Sequence, residues 1–273
     1  MQWKNIYRGF FMGISDLIPG VSGGTIAFIL GIYEDLLNAI SGFFSKDWKK
    51  QIGFLLPLAI GMGATLVIFS RLIEYLLDNY HAQTQFFFLG LIIGILPFIA
   101  GQVNVKKNFH IGHYLLVLIV GAALASLAFI NPIDHGTITK LTSSNILGLF
   151  LAGWAGSMAM LLPGISGSFI LLLLGVYSTA ISALSNFNIP IMAVIGSGVV
   201  VGFIVSSKVI RFLLARFKYG TFAVIIGLII GSVFVIYPGF PEDGTYFMMC
   251  LLTLFIGLVV ASLFSSLEKK TML

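Results

Sequence analysis

Long runs of apolar residues without charge constrain this chain more than any other feature of its sequence. Two examples are IGFLLPLAIGMGATLVIF, from Ile52, and YFMMCLLTLFIGLVVASLF, from Tyr246. An apolar helix of about 20 residues crosses a hydrocarbon core of about 30 Å. Only 9% of the 273 residues are charged, whereas a soluble domain has about a quarter. The sequence therefore predicts an all-α polytopic membrane protein.

The second constraint is an internal repeat. The stretch SDLIPGVSGGTIAFILGIY, from Ser15, matches AMLLPGISGSFILLLLGVY, from Ala159, at an offset of 144. Two later pairs of stretches match at offsets of 137 and 136: GLIIG with GLIIG, and LLVLIVGAALASL with LLTLFIGLVVASL. Three matches in the same order predict a duplication. We place its halves at residues 1–138 and 139–273.

Each half is predicted to contain a broken or re-entrant pair of short helices around its Pro-Gly motif, followed by three transmembrane helices. The predicted spans lie near residues 52–77, 84–101, 112–131, 190–215, 219–238 and 246–266. Thirteen of the 15 basic residues fall on one side if the N-terminus is cytoplasmic and each half crosses an odd number of times. By the positive-inside rule, both termini are then cytoplasmic and the halves are inverted repeats. Ten full or broken spans are the alternative to re-entrant hairpins.

The repeated motif has the chemistry of an anion-binding site. Inside lipid, irregular backbone is tolerated only where it is buried in protein or lines a wet cavity. Proline and glycine are expected to break the helix at membrane depth, so that the next helix presents unpaired amides and a positive dipole end to an anion. The candidate residues are Pro19, Gly20, Ser22, Gly23, Gly24, Thr25, Gly164, Ser166, Gly167 and Ser168. The alternative is that small residues here only permit close helix packing.

Charged residues in the predicted membrane segments are candidates for function. Arg71 and Lys208 align at an offset of 137, and inverted repeats would turn one cation toward each membrane face. Together with Arg211, these cations are predicted to receive an anionic head group, and snorkelling at helix ends is the alternative. Asp16 aligns with Met160 and has no acidic counterpart. A carboxylate at membrane depth costs about 2.5–3.5 kcal/mol, so Asp16 is either a functional residue or the neutral cap of a short helix.

Several other classes of function lack their usual signatures. The chain has no GxSxG, HExxH or phosphate-loop lysine motif. Its single cysteine, Cys250, excludes an intramolecular disulfide and a cysteine metal cluster. The sequence therefore predicts no bound metal, no cofactor, no nucleic-acid partner and no enzymatic activity.

The motif regions carry a specific resemblance. The stretch ISDLIPGVSGGTIAFILGIYEDLLNAI, together with LLPGISGSFILLLLGVY in the second half, resembles the bacterial and archaeal family of polyprenyl-phosphate (undecaprenyl-phosphate) transporters of the PopT type, formerly a domain of unknown function. The resemblance covers the whole chain. The second copy has Ser168 and Phe169 where the first has Gly24 and Thr25, so the two half-sites need not be equivalent.

The resemblance implies that the chain returns the lipid carrier undecaprenyl phosphate from the outer to the inner leaflet of the cytoplasmic membrane for envelope synthesis. The polyprenyl-phosphate lipid and the bilayer would be its partners, and the motif residues would hold the phosphate. Moving a negative charge inward costs about 2.3 kcal/mol per 100 mV. We therefore expect co-moving protons or sodium ions, with Asp16 as the residue that binds the coupling ion.

Two other functions remain open from the sequence. One is a secondary transporter of a small soluble anion, and the other is a membrane enzyme acting on prenyl phosphates. A lateral opening lined by Phe and Leu would distinguish a lipid carrier from a small-anion carrier. The sequence leaves the lipid chain length and the oligomeric state open, a homo-oligomer included.

Overall fold

The computed structural model describes residues 1–16, 22–43, 45–129, 137–241 and 243–271, and these ranges contain helices and no strands. A 3₁₀ turn, Leu127–Phe129, follows the seventh helix. In chain order the helices are α1 (Asn5–Asp16), α2 (Gly23–Ile29), α3 (Tyr33–Ser41), α4 (Trp48–Asn79), α5 (His81–Gln102), α6 (Val105–Asn108), α7 (Ile111–Ser126), α8 (Ile146–Leu161), α9 (Gly167–Leu173), α10 (Tyr177–Ser185), α11 (Ile189–Arg216), α12 (Lys218–Ile236) and α13 (Gly244–Thr271).

Five of these helices are long and apolar enough to cross a membrane, namely α5, α7 with its 3₁₀ turn, α11, α12 and α13. They coincide with five of the six predicted spans. The sixth predicted span lies in α4, which has 32 residues and is about 48 Å long at 1.5 Å per residue. The chain is therefore a multi-pass, all-helical membrane protein, as the apolar runs predicted.

Each half has a pair of short helices joined by the same tight turn. The second pair, α9 and α10, bends by 113°. Gly31 and Gly175 end α2 and α9 with φ angles of 61° and 66°, a left-handed conformation that glycine adopts without strain. After each glycine, one backbone amide bonds back over five residues, from Ile32 to Ala27 and from Val176 to Leu171, both at 2.9 Å. This is a Schellman cap, which ends the short helix and turns the chain.

Glycines let α1 pack closely along the first part of α4. A Cβ at Gly13 would lie 2.9 Å from the Thr65 side chain, and a Cβ at Gly61 would collide with the Ile6 carbonyl oxygen. The Thr65 hydroxyl also donates to the Phe10 carbonyl at 2.8 Å. Residue numbers rise together along the contact, so the two helices run parallel.

The pair formed by α8 and α11 has the same contacts at the matching positions. A Cβ at Gly198 would collide with the Phe150 carbonyl oxygen, and a Cβ at Gly202 would lie 2.7 Å from the Trp154 carbonyl oxygen. Gly61 and Gly198 are separated by the repeat offset of 137. The second pair is therefore built on the same backbone approach as the first.

The remaining long helices pair between the halves. α5 packs most extensively against α13, and α12 packs against α7. Gly90 of α5 approaches the Leu254 carbonyl oxygen, and its counterpart, Gly227 of α12, would carry a Cβ 2.8 Å from the Val117 carbonyl oxygen. Because each half supplies one helix to each of these pairs, the two halves interlock.

In each half, the chain enters the segment of short helices and leaves it again at the same end of a long helix. The Gln2 amide donates to the Gly53 carbonyl at 2.9 Å, and α3 ends at Ser41, shortly before α4 begins. In the second half the Asn188 side chain, beside the start of α11, donates to the Thr139 carbonyl at 2.9 Å. Arg211, near the end of α11, donates to the Ser41 hydroxyl at 2.6 Å. The end of α11 therefore lies beside the end of α3, shortly before α4 begins.

We predict that Gly198→Ala destabilises the protein, because its methyl group would meet the Phe150 backbone, and overpacking costs about 1–3 kcal/mol. Gly196→Ala is the matched control, since a Cβ there meets no atom within 4 Å and alanine favours a helix by up to about 1 kcal/mol. Thermal unfolding in detergent should give a lower midpoint for Gly198→Ala and an unchanged or higher one for Gly196→Ala. Equal midpoints for the two variants would contradict the close approach of α8 and α11.

Candidate functional site

The two motifs meet in the interior of the protein. Thr25, 2% exposed, accepts a hydrogen bond from the Gly164 amide at 3.0 Å. The Ser22 hydroxyl lies 3.3 Å from the Leu162 carbonyl oxygen, to which it donates. The Tyr33 hydroxyl donates to the Leu161 carbonyl at 2.8 Å. Side chains of the first motif region thus bind the backbone that leads into the second motif.

Asp16 and Ser22 cap the first of the two short motif helices. The Gly23 amide donates to Asp16 Oδ1 at 2.8 Å, and the Gly24 amide donates to the Ser22 hydroxyl at 3.1 Å. The expectation that this helix presents unpaired amides is therefore wrong for the first motif, because an internal carboxylate already lies there. Of the two alternatives for Asp16, the structure displays the capping contact, with the side chain half-buried.

The second motif lacks this cap. Ser166 precedes α9 and makes no side-chain capping bond, and its hydroxyl lies 2.7 Å from the Ser168 hydroxyl. Met160 stands where the first half has Asp16. A Cβ at Gly167 would lie 2.7 Å from the Gly156 carbonyl oxygen, so α8 and α9 touch closely. The half-sites differ, as the substitutions between the two copies predicted.

A large apolar cavity, hereafter the first cavity, begins at Asp16. Its volume is about 420 Å³. It is lined by Met12, Asp16, Gly23, Gly24, Leu36, Ile40, Phe43, Leu55, Leu58, Ala59, Met62, Met160, Leu161, Val200, Phe203 and Ile204. Ala59 and Val200 are exposed on α4 and α11, so the cavity opens to the surface between these helices.

A smaller cavity, hereafter the second cavity, lies on the other side of Asp16. Its volume is about 200 Å³. It is lined by Asp16, Gly153, Gly156, Ser157, Met160, Ser166, Gly167, Ser168, Leu171 and Val199. Asp16 and Met160 line both cavities and therefore stand between them.

The predicted anion-binding residues fall into three groups. Some line a cavity: Gly23 and Gly24 the first, and Ser166, Gly167 and Ser168 the second. Others make the buried bonds between the motifs: Ser22, Thr25 and Gly164. Pro19 and Gly20 lie outside the described residues.

The predicted head-group cations lie apart from the motifs. Lys208 is exposed on α11. Arg211 binds Ser41 and lines a third cavity, of about 350 Å³, together with Glu34 and Lys218. The Arg71 side chain lies outside the described part of the chain. No group of three or more His, Cys, Asp or Glu residues in the described ranges has the geometry of a metal site.

Sequence reasoning missed two features of the site. Tyr33 joins the two motifs through its hydroxyl, and its repeat with Tyr177 was the only signal in the sequence. The apolar wall of the first cavity includes Ile40 of α3, Leu58 of α4 and Phe203 of α11, and α11 is far from the other two helices in the chain. Apolar residues line such a cavity and face lipid equally well, so no sequence signal separates the two.

One family model and two known proteins match most of this chain. The model of a family described as undecaprenyl phosphate translocase-like matches residues 12–248. A polyprenyl-phosphate transporter of Staphylococcus aureus is 45% identical over 268 residues, 95% of each chain. A polyprenyl-phosphate transporter of Vibrio cholerae is 35% identical over 257 residues, 87% of this chain and 79% of the relative. No solved structure matches the chain significantly.

We predict that Ser22→Ala destabilises the protein more than Ser166→Ala does. Ser22 caps the Gly24 amide, and loss of such a cap costs about 0.5–2 kcal/mol, whereas Ser166 makes no capping bond. Thermal unfolding in detergent should place the midpoint of Ser22→Ala below that of Ser166→Ala. Equal midpoints or the reverse order would contradict this difference in capping between the two motifs.

Proposed function

Because the chain belongs to the undecaprenyl phosphate translocase-like family, we propose that it carries a polyprenyl phosphate across the membrane. This membership confirms the resemblance that the two motif stretches indicated. Both relatives are named as transporters and neither as an enzyme, in agreement with the expectation that the chain is not an enzyme. The site geometry supports the same function and adds a mechanism to it.

The first cavity is the observation that carries the proposal. Its walls are almost entirely apolar, and it reaches from Gly23 and Gly24 to an opening between α4 and α11. An amphipathic lipid with a small anionic head needs this combination of a polar end and an oily groove. A carrier of a small soluble anion needs no such groove, since burying apolar surface contributes nothing to the binding of inorganic phosphate. The prenyl chain would lie in the cavity and extend between the two helices.

The phosphate would bind at the inner end of this cavity. The amides of Gly23 and Gly24 begin α2, where negative charge is favoured. Asp16 and Ser22 accept from these amides in this structure, so a phosphate would displace the Asp16 carboxylate or bind together with a cation that neutralises it. Ser166, Gly167 and Ser168 face Asp16 from the second cavity and would supply further donors. Thr25, Gly164 and Ser22 would hold the two motifs together.

We propose that residues 1–138 and 139–273 are inverted repeats with re-entrant hairpins. The short helices of each half enter and leave at the start of a long helix, α4 or α11, as the Gln2 and Asn188 bonds indicate. The Arg211–Ser41 bond joins the end of α11 to the end of α3, shortly before α4 begins, which supports opposite directions for α4 and α11. With the basic residues in the cytoplasm, both termini lie on the cytoplasmic side of the inner membrane.

In this arrangement the cations have a role at the cytoplasmic face. Arg211 lies at the end of α11, beside Ser41, and Lys208 lies one helical turn before it. Both would attract the phosphate as it reaches the inner leaflet. Arg71, aligned with Lys208, would do the same at the outer leaflet.

The substrate and direction proposed are undecaprenyl phosphate and inward return for envelope synthesis. A phosphate monoester carries about −1.5 to −2 charges at neutral pH, and each charge moved inward costs about 2.3 kcal/mol per 100 mV. Inward transport therefore requires cations that move with the lipid. Asp16, an acid that lines both cavities, is the proposed site for a proton or a sodium ion.

Filling the mouth of the first cavity tests the substrate class. We predict that Val200→Trp slows translocation of undecaprenyl phosphate in proteoliposomes at least about tenfold, because an indole would occupy space that the prenyl chain needs. Val201→Trp is the control, since Val201 is exposed on the same helix but does not line the cavity. Translocation is measured as exposure of the phosphate to a membrane-impermeant phosphatase.

The same proteoliposomes distinguish the alternatives. Uptake of radiolabelled inorganic phosphate by the unaltered protein, without lipid translocation, would establish a small-anion transporter. Release of phosphate from the lipid by the protein alone would establish an enzyme. Equal translocation by the two tryptophan variants would remove the first cavity from the transport path.

Removing the charge of Asp16 tests cation coupling. The asparagine in Asp16→Asn keeps an oxygen that accepts from the Gly23 amide, so we expect the cap and the fold to remain. Without a carboxylate to bind the coupling ion, translocation should lose its dependence on an imposed pH or sodium gradient. A variant that responds to either gradient as strongly as the unaltered protein would exclude this role for Asp16.

A further inference from the structure

The two cavities that meet at Asp16 are related by the internal repeat. Adding the offset of 144 to Met12, Gly23 and Gly24 of the first cavity gives three residues of the second. Adding 137 to Met62 gives a fourth. These counterparts, all of which line the second cavity, are Gly156, Gly167, Ser168 and Val199.

Asp16 and Met160 are counterparts in the repeat, and both line the two cavities. Met160 lies 144 residues after Asp16 and is its counterpart in the second half. Each of the two residues lines both cavities. A pair of counterparts shared by both cavities is expected where the two halves meet around a common axis. The two residues therefore form one barrier that separates two equivalent spaces.

The two halves differ in cavity size and in the burial of their short helices around Asp16 and Met160. The first cavity has about twice the volume of the second, about 420 Å³ against about 200 Å³. Every residue of α2 is buried, whereas only Gly167 is buried in α9 among its described residues. Tyr33 is 2% exposed and bonded to the Leu161 carbonyl, whereas its counterpart Tyr177 is 39% exposed. Equivalent segments of sequence thus adopt one packed and one looser arrangement in the same molecule.

We infer that the two cavities are the two ends of one path, and that the chain alternates between this state and one in which its halves exchange arrangements. In the exchanged state the second cavity is the large one, and Tyr177 packs against the first half as Tyr33 packs here against the second. Asp16 and Met160 separate the cavities in each state, and they move apart during the exchange so that the path can be crossed. The identity of what passes and the opposite membrane sides of the two cavities rest on the proposed function, whereas the exchange of packing between the halves does not.

The chain makes the state seen here the more stable one. Thr25 bonds to the Gly164 amide in this state, but its counterpart is Phe169, which has no hydroxyl to make the matching bond. Tyr33 and Tyr177, in contrast, are the same residue type and contribute one bond to each state. Replacing one tyrosine should therefore shift the equilibrium in one direction, and replacing the other should shift it in the opposite direction.

The test uses single cysteines at the repeat-related positions Met62 and Val199, one in each cavity. Met62→Cys and Val199→Cys are made separately in a Cys250→Ala background, since Cys250 is the only native cysteine. A small charged thiol reagent is added on either side of sealed membranes. The cysteine at position 62 should react from the side on which α4 begins, and the cysteine at 199 from the opposite side and more slowly.

Tyrosine variants are expected to change the reaction rates of the cysteines at positions 62 and 199. Tyr33→Phe should lower the reaction rate at position 62 and raise it at 199, changing the ratio by about two- to tenfold, the range expected for one hydrogen bond. Tyr177→Phe should change the ratio the opposite way. The double variant Tyr33→Phe/Tyr177→Phe should return the ratio to near its original value, which a general loosening of the fold would not do.

The outcomes separate this inference from the substrate proposal. Changes in the same direction at both positions, or no change with either tyrosine variant, would overturn the exchange of states. Opposite changes in a protein that does not translocate undecaprenyl phosphate would support the exchange and reject the substrate. The labelling is carried out without lipid substrate, so its result does not depend on the transport assay.

Discussion

Backbone groups at a helix break must find partners when no water surrounds them, and this requirement organises the centre of the protein. An unsatisfied group in hydrocarbon costs several kcal/mol. At the first break the partners are side chains: Asp16 for the Gly23 amide and Ser22 for the Gly24 amide. At the second break, Thr25 of the first motif accepts from the Gly164 amide. The last of these bonds joins the two motifs, so satisfying the backbone also brings the two half-sites together.

The helices around this centre hold it through glycine contacts. α1 lies along α4 and α8 lies along α11, at matching positions of the two halves, while α5 and α12 each pair with the last helix of the other half. Because lipid tails are as apolar as the side chains, close backbone packing rather than a hydrophobic driving force associates helices in a membrane. The interlocked pairs form a frame, and the short helices α2, α3, α9 and α10 lie within or at the edge of it. Motion of the short helices inside this frame would exchange the two arrangements.

Asp16 combines structural and electrostatic roles at one position. Its carboxylate lies at the helix start to which a phosphate would be drawn, and it faces both cavities. Two anions cannot share the Gly23 amide without strong repulsion, since like charges about 4 Å apart repel by roughly 4 kcal/mol even at an effective dielectric constant of 20. A phosphate that binds there would therefore either displace the Asp16 carboxylate or arrive with a cation that neutralises it. The same contact thus links capping, substrate binding and cation coupling in the proposed mechanism.

The sequence by itself determined the class of protein and the positions of its long helices, because an uncharged apolar run of 20 residues has few alternatives to a spanning helix. It also located the motifs and the unequal half-sites, since Met160 and Phe169 visibly lack the polar groups of Asp16 and Thr25. Only the tertiary structure decided that the first motif is capped by Asp16 and that Tyr33 joins the two motifs. It alone also revealed the apolar cavity that runs from the motif to the surface. Capping across a loop and the lining of a cavity depend on which distant segments meet, and apolar residues carry no local pattern that distinguishes a cavity wall from a surface in contact with lipid.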